Sequence, residues 1–199
     1  MKKFMLLVCL ASLTPMAKAQ VSLDSARRDP EYVKTIISRS GKIVDQLDLE
    51  SVSVRQDILY IIANRYFELG DIDRQYQKDK NAHYAELYLH HFEFPASLAA
   101  YLSDTQIEKV KDGMTYNVVP KTVKAYKEMI PALKDTEQLQ ILNWLKEARE
   151  LAIDAGDSKS KHDWFGKYKG RINNWLSKRG YDLNAEREAW YKVINAKTK

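Results

Sequence analysis

The run His162-Asp163-Trp164-Phe165-Gly166-Lys167-Tyr168-Lys169-Gly170-Arg171-Ile172-Asn173-Asn174-Trp175 holds the densest set of side chains that could do chemistry. If it is helical, Trp164, Tyr168, Arg171 and Trp175 recur at steps of four, three and four and share one face, with His162, Lys169 and Asn173 on its flanks. Planar rings cover the apolar C–H faces of a sugar, while guanidinium, amide and imidazole groups beside them read hydroxyls or carboxylates. The expected activity is therefore carbohydrate binding. Trp164, Tyr168 and Trp175 would be stacking platforms, and Arg171, Asn173, Asn174 and His162 polar readers. The same face, with Ile172 and Leu176, would also serve as core, with Gly166 and Gly170 admitting a neighbouring helix. Each glycine inside a helix costs about 1 kcal/mol relative to alanine, so either reading has to account for two of them.

A second candidate is Lys111-Asp112-Gly113-Met114-Thr115-Tyr116-Asn117, a helix end running into a polar loop. Brought together with the first run, it would set Lys111, Asp112 and Tyr116 beside His162 and Arg171, the residue types used to abstract a proton next to a carboxylate. That arrangement would make a lyase or hydrolase of acidic glycans, with Tyr116, His162 and Lys111 as its working groups. Binding without turnover is the leading expectation, because no acid and base pair is announced by spacing. Retaining glycosidases need two carboxylates about 5 to 5.5 Å apart, a separation that sequence does not reveal.

His83, Glu86 and His90 stand at i, i+3 and i+7, with His91 adjacent. They match no zinc signature, since HExxH needs its histidines at i and i+4 around the Glu, and no metal site or cofactor is expected. A P-loop, a dinucleotide fingerprint, a G-x-S-x-G elbow and a cysteine nucleophile are also missing, which disfavours nucleotide and thiol chemistry.

The elements that must position these residues read as helices throughout. Asp29-Pro30-Glu31 is a start signal, and apolar residues at three- and four-residue steps predict a helix over 30–47. A second helical stretch covers about 50–94, with a kink possible at Gly70, a polar interval over 77–82 and an end enforced by Pro95. Ser103-Asp104-Thr105-Gln106 and Asp135-Thr136-Glu137-Gln138 read as capping boxes opening helices that stop at Gly113 and Gly156. Pro120 and Pro131 bracket a short helix, and helical patterns return over 158–179 and 184–196. The fold class is all-α: a single domain over 29–197, arranged as an antiparallel bundle of about six helices, after a flexible stretch at 20–28. Leu102-Ser-Asp-Thr-Gln and Leu133-Lys-Asp-Thr-Glu-Gln echo each other near a solenoid period, but two echoes fall short of an array.

The chain has 199 residues, 32 basic against 27 acidic, with 4 Trp, 12 Tyr and 5 Phe, enough apolar surface to exclude intrinsic disorder. Lys2 and Lys3, the apolar run Phe4–Leu13 and the small-x-small Ala17-Lys18-Ala19 read as a secretory signal cleaved after Ala19. The run is too short to span a bilayer, and Val8 before Cys9 departs from a lipid-anchor signal. Cleavage removes Lys2, Lys3, Lys18 and Cys9, leaving net charge +2 and no cysteine. The expected product is exported to the periplasm or the outside, has no membrane span and is too weakly basic for nucleic acid.

Several segments also resemble one family: Asp29-Pro30-Glu31-Tyr32-Val33, Lys111 to Tyr116, Val118-Val119-Pro120, Glu147-Ala148-Arg149-Glu150 with Asp154-Ala155-Gly156, and His162 to Asn174. The chain is similar to secreted Bacteroidota proteins classed as a domain of unknown function and suggested to bind sugars. The resemblance reaches from Asp29 to Leu183 and implies a role in glycan handling beside polysaccharide-degrading enzymes, with no catalytic residue carried over. The Leu102 to Gln106 segment is similar as well to the Leu-Thr-x-x-Gln signature of small periplasmic helical chaperones, which keeps a chaperone or adaptor role open.

Overall fold

The computed structural model describes residues 20–197, so the expected signal segment 1–19 lies outside the described residues. All regular structure within them is helical: α1 (Pro30–Val44), α2 (Val52–Gln75), α3 (Lys80–His91), α4 (Glu93–Ala99), α5 (Asp104–Met114), α6 (Val118–Met129), α7 (Asp135–Ile153), α8 (Ser158–Lys178) and α9 (Leu183–Lys197). The all-α class stands, but the helices number nine among the described residues, not about six.

Most of the difference lies in the stretch 50–94. It is three helices, because the polar interval is a true break in which the Asp79 carboxylate accepts from the backbone N–H groups of Asn81 and Ala82 and so starts α3. Pro95 does not end a helix. It occupies the first turn of α4, where its missing N–H costs nothing. α2 runs unbroken through Gly70, whose hydrogen faces the Tyr32 hydroxyl.

The first capping box is present, with Ser103 Oγ accepting from Gln106 N and Gln106 Oε1 accepting from Ser103 N at 3.1 Å. The second is half formed: the N-cap is Lys134, one residue early, and Glu137 reaches back to its N–H at 3.0 Å. Neither predicted glycine stop is used as such. Gly113 lies inside α5, where an added Cβ would press on Ile43 of α1, and α7 ends before Gly156.

Two apolar clusters hold these elements. Ile43, Leu47, Ile58, Ile62, Leu98 and Val110 join α1, α2, α4 and α5, while Ile130, Ile141, Leu145, Phe165, Ile172 and Leu176 join α6, α7 and α8. α5 packs on α7 and Ile153 belongs to the first cluster, which ties the two together. The segment 20–28, expected to be flexible, is fastened to α2: Val21 N donates to Asp57, Asp24 N to Asn64, and Arg28 reaches Asp71 while stacking on Phe67 at 4.6 Å.

Glu137 is buried where α7 begins. Hydrogen bonds from the Tyr181 hydroxyl at 2.6 Å, the Lys134 N–H and Arg179 Nε at 2.8 Å hold its carboxyl down to about 2. An acid whose folded value is depressed stabilises the fold above its unfolded value of 4.5, and that contribution is lost as the pH falls towards about 2. Acid titration followed by circular dichroism should show this loss in the native chain and a flatter profile between pH 4.5 and 2 in Glu137→Gln.

Gly166 and Gly170 admit no neighbouring helix, since an added Cβ at either meets nothing within 4 Å. Their presence in α8 is a plain helix cost. Gly166→Ala and Gly170→Ala are each expected to stabilise the fold by about 1 kcal/mol in urea denaturation.

Candidate functional site

The structure divides the residues singled out in the sequence between two flanks of α8. On one flank Trp164, Tyr168 and Trp175 lie half-buried against α7, with Trp144 meeting Trp175 edge-on at 5.3 Å. Arg171 stands over the Trp144 ring at 4.5 Å and 3.7 Å from Glu147, while Arg179 covers Trp175 at 4.8 Å. Trp175 and Tyr168 are thus largely engaged by protein. On the other flank Asn173 accepts from the Tyr126 hydroxyl at 2.6 Å, and His162 stacks on Tyr116 with ring centres 5.3 Å apart. Asn174 is exposed.

Tyr116 and Asn117 are consecutive residues at positive φ, 61° and 55°, in the turn between α5 and α6. Non-glycine residues adopt that region at a cost, and here it swings the Tyr116 ring onto His162. The two candidate segments therefore meet at Tyr116 and His162, while Arg171 lies elsewhere. Tyr66, absent from the sequence candidates, lies near this pair; burial pushes its phenol up to about 12, and the Arg39 guanidinium stands 5.4 Å from its ring.

Lys111 and Asp112 serve ion pairs. Arg149 is 1% exposed and donates to Asp112 Oδ1 at 2.8 Å, Glu108 Oε1 at 2.7 Å and Glu150 Oε1 at 3.2 Å. Lys111 Nζ takes the other Glu150 oxygen at 2.7 Å. Burial pushes the Asp112 carboxyl up, against the pull of Arg149.

Glu150 leads to a large concavity, a cleft of about 890 Å³ between α3, the end of α2 and the corner where α7 turns into α8. One wall is the stripe Tyr84, Tyr88 and Phe92, at four-residue steps along α3 and onto its C-cap, with Tyr88 70% and Phe92 62% exposed. Trp164 stands on the α8 side, with Lys167 over one ring face at 4.3 Å. The floor is polar: His83 Nε2 lies 2.7 Å from Asp73 Oδ1, and His91 Nδ1 2.6 Å from Asp154 Oδ2. The bond to Asp154 raises the His91 pKa above its ordinary value.

Asp154 is held from behind by Arg65, 3% exposed, whose Nη2 donates to Asp154 Oδ1 at 2.7 Å while Nη1 pairs with Glu68. Lys161 caps the end of α7, donating to the Ala152 and Ile153 carbonyls at 3.1 and 2.9 Å, and burial holds its ammonium down to about 8. Gly156 closes the corner, where a Cβ would overlap the Asp73 carboxylate.

Of the sequence candidates only Trp164 lines this cleft. The Tyr84, Tyr88 and Phe92 stripe is readable in the sequence as a helical period, a spacing that by itself marks no ligand. Glu150 and Asp154 stand in segments that carry the family resemblance, but nothing in sequence pairs Asp154 with the distant Arg65 or Asp73 with His83.

Arg65→Met should leave Glu68 and Asp154 without their buried partner and cost about 3 to 5 kcal/mol in urea denaturation. A loss under about 1 kcal/mol would show that Arg65 does not hold the cleft floor.

No helix among the described residues is long and apolar enough to cross a membrane. A search of curated proteins returns no match for the chain. Residues 73–196, from the end of α2 through nearly all of α9 and including both walls of the cleft, match the family described as Protein of unknown function (DUF3826), and the chain belongs to that family.

Proposed function

We propose that this is an exported protein that binds a carbohydrate in the cleft between α3, α7 and α8, as part of polysaccharide or oligosaccharide handling. The observation that carries the reading is one cleft lined by aromatic rings and polar pairs together: Tyr84 and Tyr88 of α3, Phe92 at its C-cap and Trp164 of α8, with the paired Asp73, His83, His91 and Asp154. Rings with open faces suit the apolar faces of pyranose rings, and carboxylates with imidazoles suit their hydroxyls. A volume of about 890 Å³ lies within the range that encloses small ligands, room for a short oligosaccharide segment. Lys167, the cation over Trp164, sits on an exposed stem that an incoming sugar would displace.

This site keeps Trp164 from the set Lys111, Asp112, Tyr116, His162, Trp164, Tyr168, Arg171, Asn173, Asn174 and Trp175, and moves the remainder of the contact to α3. Lys111 acts behind the floor through Glu150. A glycan-active enzyme is the second reading, favoured by one observation. His91 bonds through Nδ1 to an Asp that is itself fixed by Arg65, the arrangement that orients an imidazole as a general base. The Tyr116 and His162 pair offers the same reading a second location, without Lys111.

Isothermal titration with neutral and acidic oligosaccharides tests the proposal. One glycan class should bind, and Trp164→Ala and Tyr88→Ala should each weaken it at least tenfold, about 1.4 kcal/mol, with circular dichroism showing both variants folded. Trp175→Ala should leave affinity intact. Loss of binding in Trp175→Ala alone would place the sugar on the α7–α8 flank, and aggregation suppression without glycan binding would favour the chaperone role.

A further inference from the structure

On the side of α3 away from the aromatic stripe, three carboxylates from three helices converge on a single imidazole. His90 Nδ1 lies 3.1 Å from Glu68 Oε1 of α2 and 2.8 Å from Glu93 Oε2 at the start of α4, and its Nε2 lies 3.3 Å from Glu86 Oε1 one turn back on α3. The candidate ligand atoms of Glu68, His90 and Glu93 all fall within 4.8 Å of one another. We propose that Glu68, His90 Nδ1 and Glu93 form a binding site for a first-row divalent cation, zinc or manganese.

Valence at the imidazole is the first argument. Nδ1 carries at most one proton, yet two carboxylate oxygens stand at hydrogen-bond distance from it. A cation in place of that proton would satisfy both. Ligand atoms bound at about 2.0 to 2.2 Å to one small cation sit roughly 3 to 4 Å apart; Nδ1 lies 3.1 and 2.8 Å from the two carboxylate oxygens, and no pair in the set is more than 4.8 Å apart.

Support behind the ligands is the second. Glu86 faces Nε2, so an N–H there donates to a carboxylate and presents Nδ1 as the lone-pair nitrogen. Arg65, nearly fully buried, pairs with Glu68 through Oε2 and leaves Oε1 directed at His90. Ligating histidines and carboxylates are commonly fixed by such outer partners.

Charge gives the third argument. The cluster lines an open cavity of about 740 Å³, and the other acids there, Asp24 and Asp71, are both taken by Arg28. Glu68, Glu86 and Glu93 face one imidazole and a guanidinium shared with Asp154. The excess is negative, and the open side leaves room for water or a ligand oxygen in the remaining positions. Carboxylate oxygens with an imidazole suit zinc and manganese; calcium takes oxygen ligands.

Titration of the chelator-stripped protein with zinc chloride and manganese chloride tests this. One equivalent should bind with a dissociation constant in the micromolar range or below. Glu68→Gln and His90→Ala should weaken it at least tenfold, while Glu31→Gln on α1 leaves it unchanged. Manganese bound to the native chain should show a nitrogen coupling by electron spin-echo spectroscopy that His90→Ala abolishes. Glu93 is 69% exposed, so Glu93→Gln carries the test if circular dichroism shows that His90→Ala does not fold. No heat of binding up to 1 mM of either ion, or equal affinity in Glu68→Gln and Glu93→Gln, overturns the proposal.

Discussion

Taking a guanidinium out of water is expensive unless its donors are met, and two are buried among the described residues. Arg149 reaches from α7 to Glu108 and Asp112 on α5, and Arg65 reaches from α2 to Asp154 at the end of α7. The Nε of each has no hydrogen-bond partner among the described residues, so neither is fully compensated. Such pairs rarely add net stability over an apolar replacement; what they fix is position. Through them the carboxylates of Glu150 and Asp154 are held at the floor of the cleft, and the two apolar clusters are locked in one register.

α3 depends on that arrangement more than on the core. Only Leu87 of its twelve residues is buried, so apolar burial does little to hold it. Its attachment runs through histidines: His83 to Asp73, His91 to Asp154, and His90 to the carboxylates of α2, α3 and α4. A helix docked by polar pairs has its apolar side free, which is why Tyr84, Tyr88, Leu89 and Phe92 remain exposed. The position of α3 and the exposure of its rings therefore share one cause.

Local chemistry was legible in the sequence where it is local in space. The starts at Asp29 and Ser103 and the apolar faces of α1, α7 and α8 follow from side chains within a few residues of one another. Proline and glycine have roles here that no local rule fixes: Pro95 sits in the first turn of a helix, Gly113 and Gly156 make room for Ile43 and Asp73, and Gly166 and Gly170 face open space. Those outcomes depend on what the fold brings opposite. The same holds for the site, where α8 faces two ways. A helical period groups Trp164 with Trp175 correctly, but only packing shows that Trp144, Arg171 and Arg179 occupy one end of that face while the other borders a cleft.

The proposed function requires the rings of α3 and α8 to form one binding surface, with the polar floor between them. The most direct measurement is to follow the aromatic side-chain resonances by nuclear magnetic resonance while a bound oligosaccharide is titrated in. Signals of Tyr84, Tyr88, Phe92 and Trp164 should shift together along one saturation curve, while those of Trp144 and Trp175 hold still. Movement confined to Tyr116 and His162, or to Trp144 and Trp175, would contradict the proposed function.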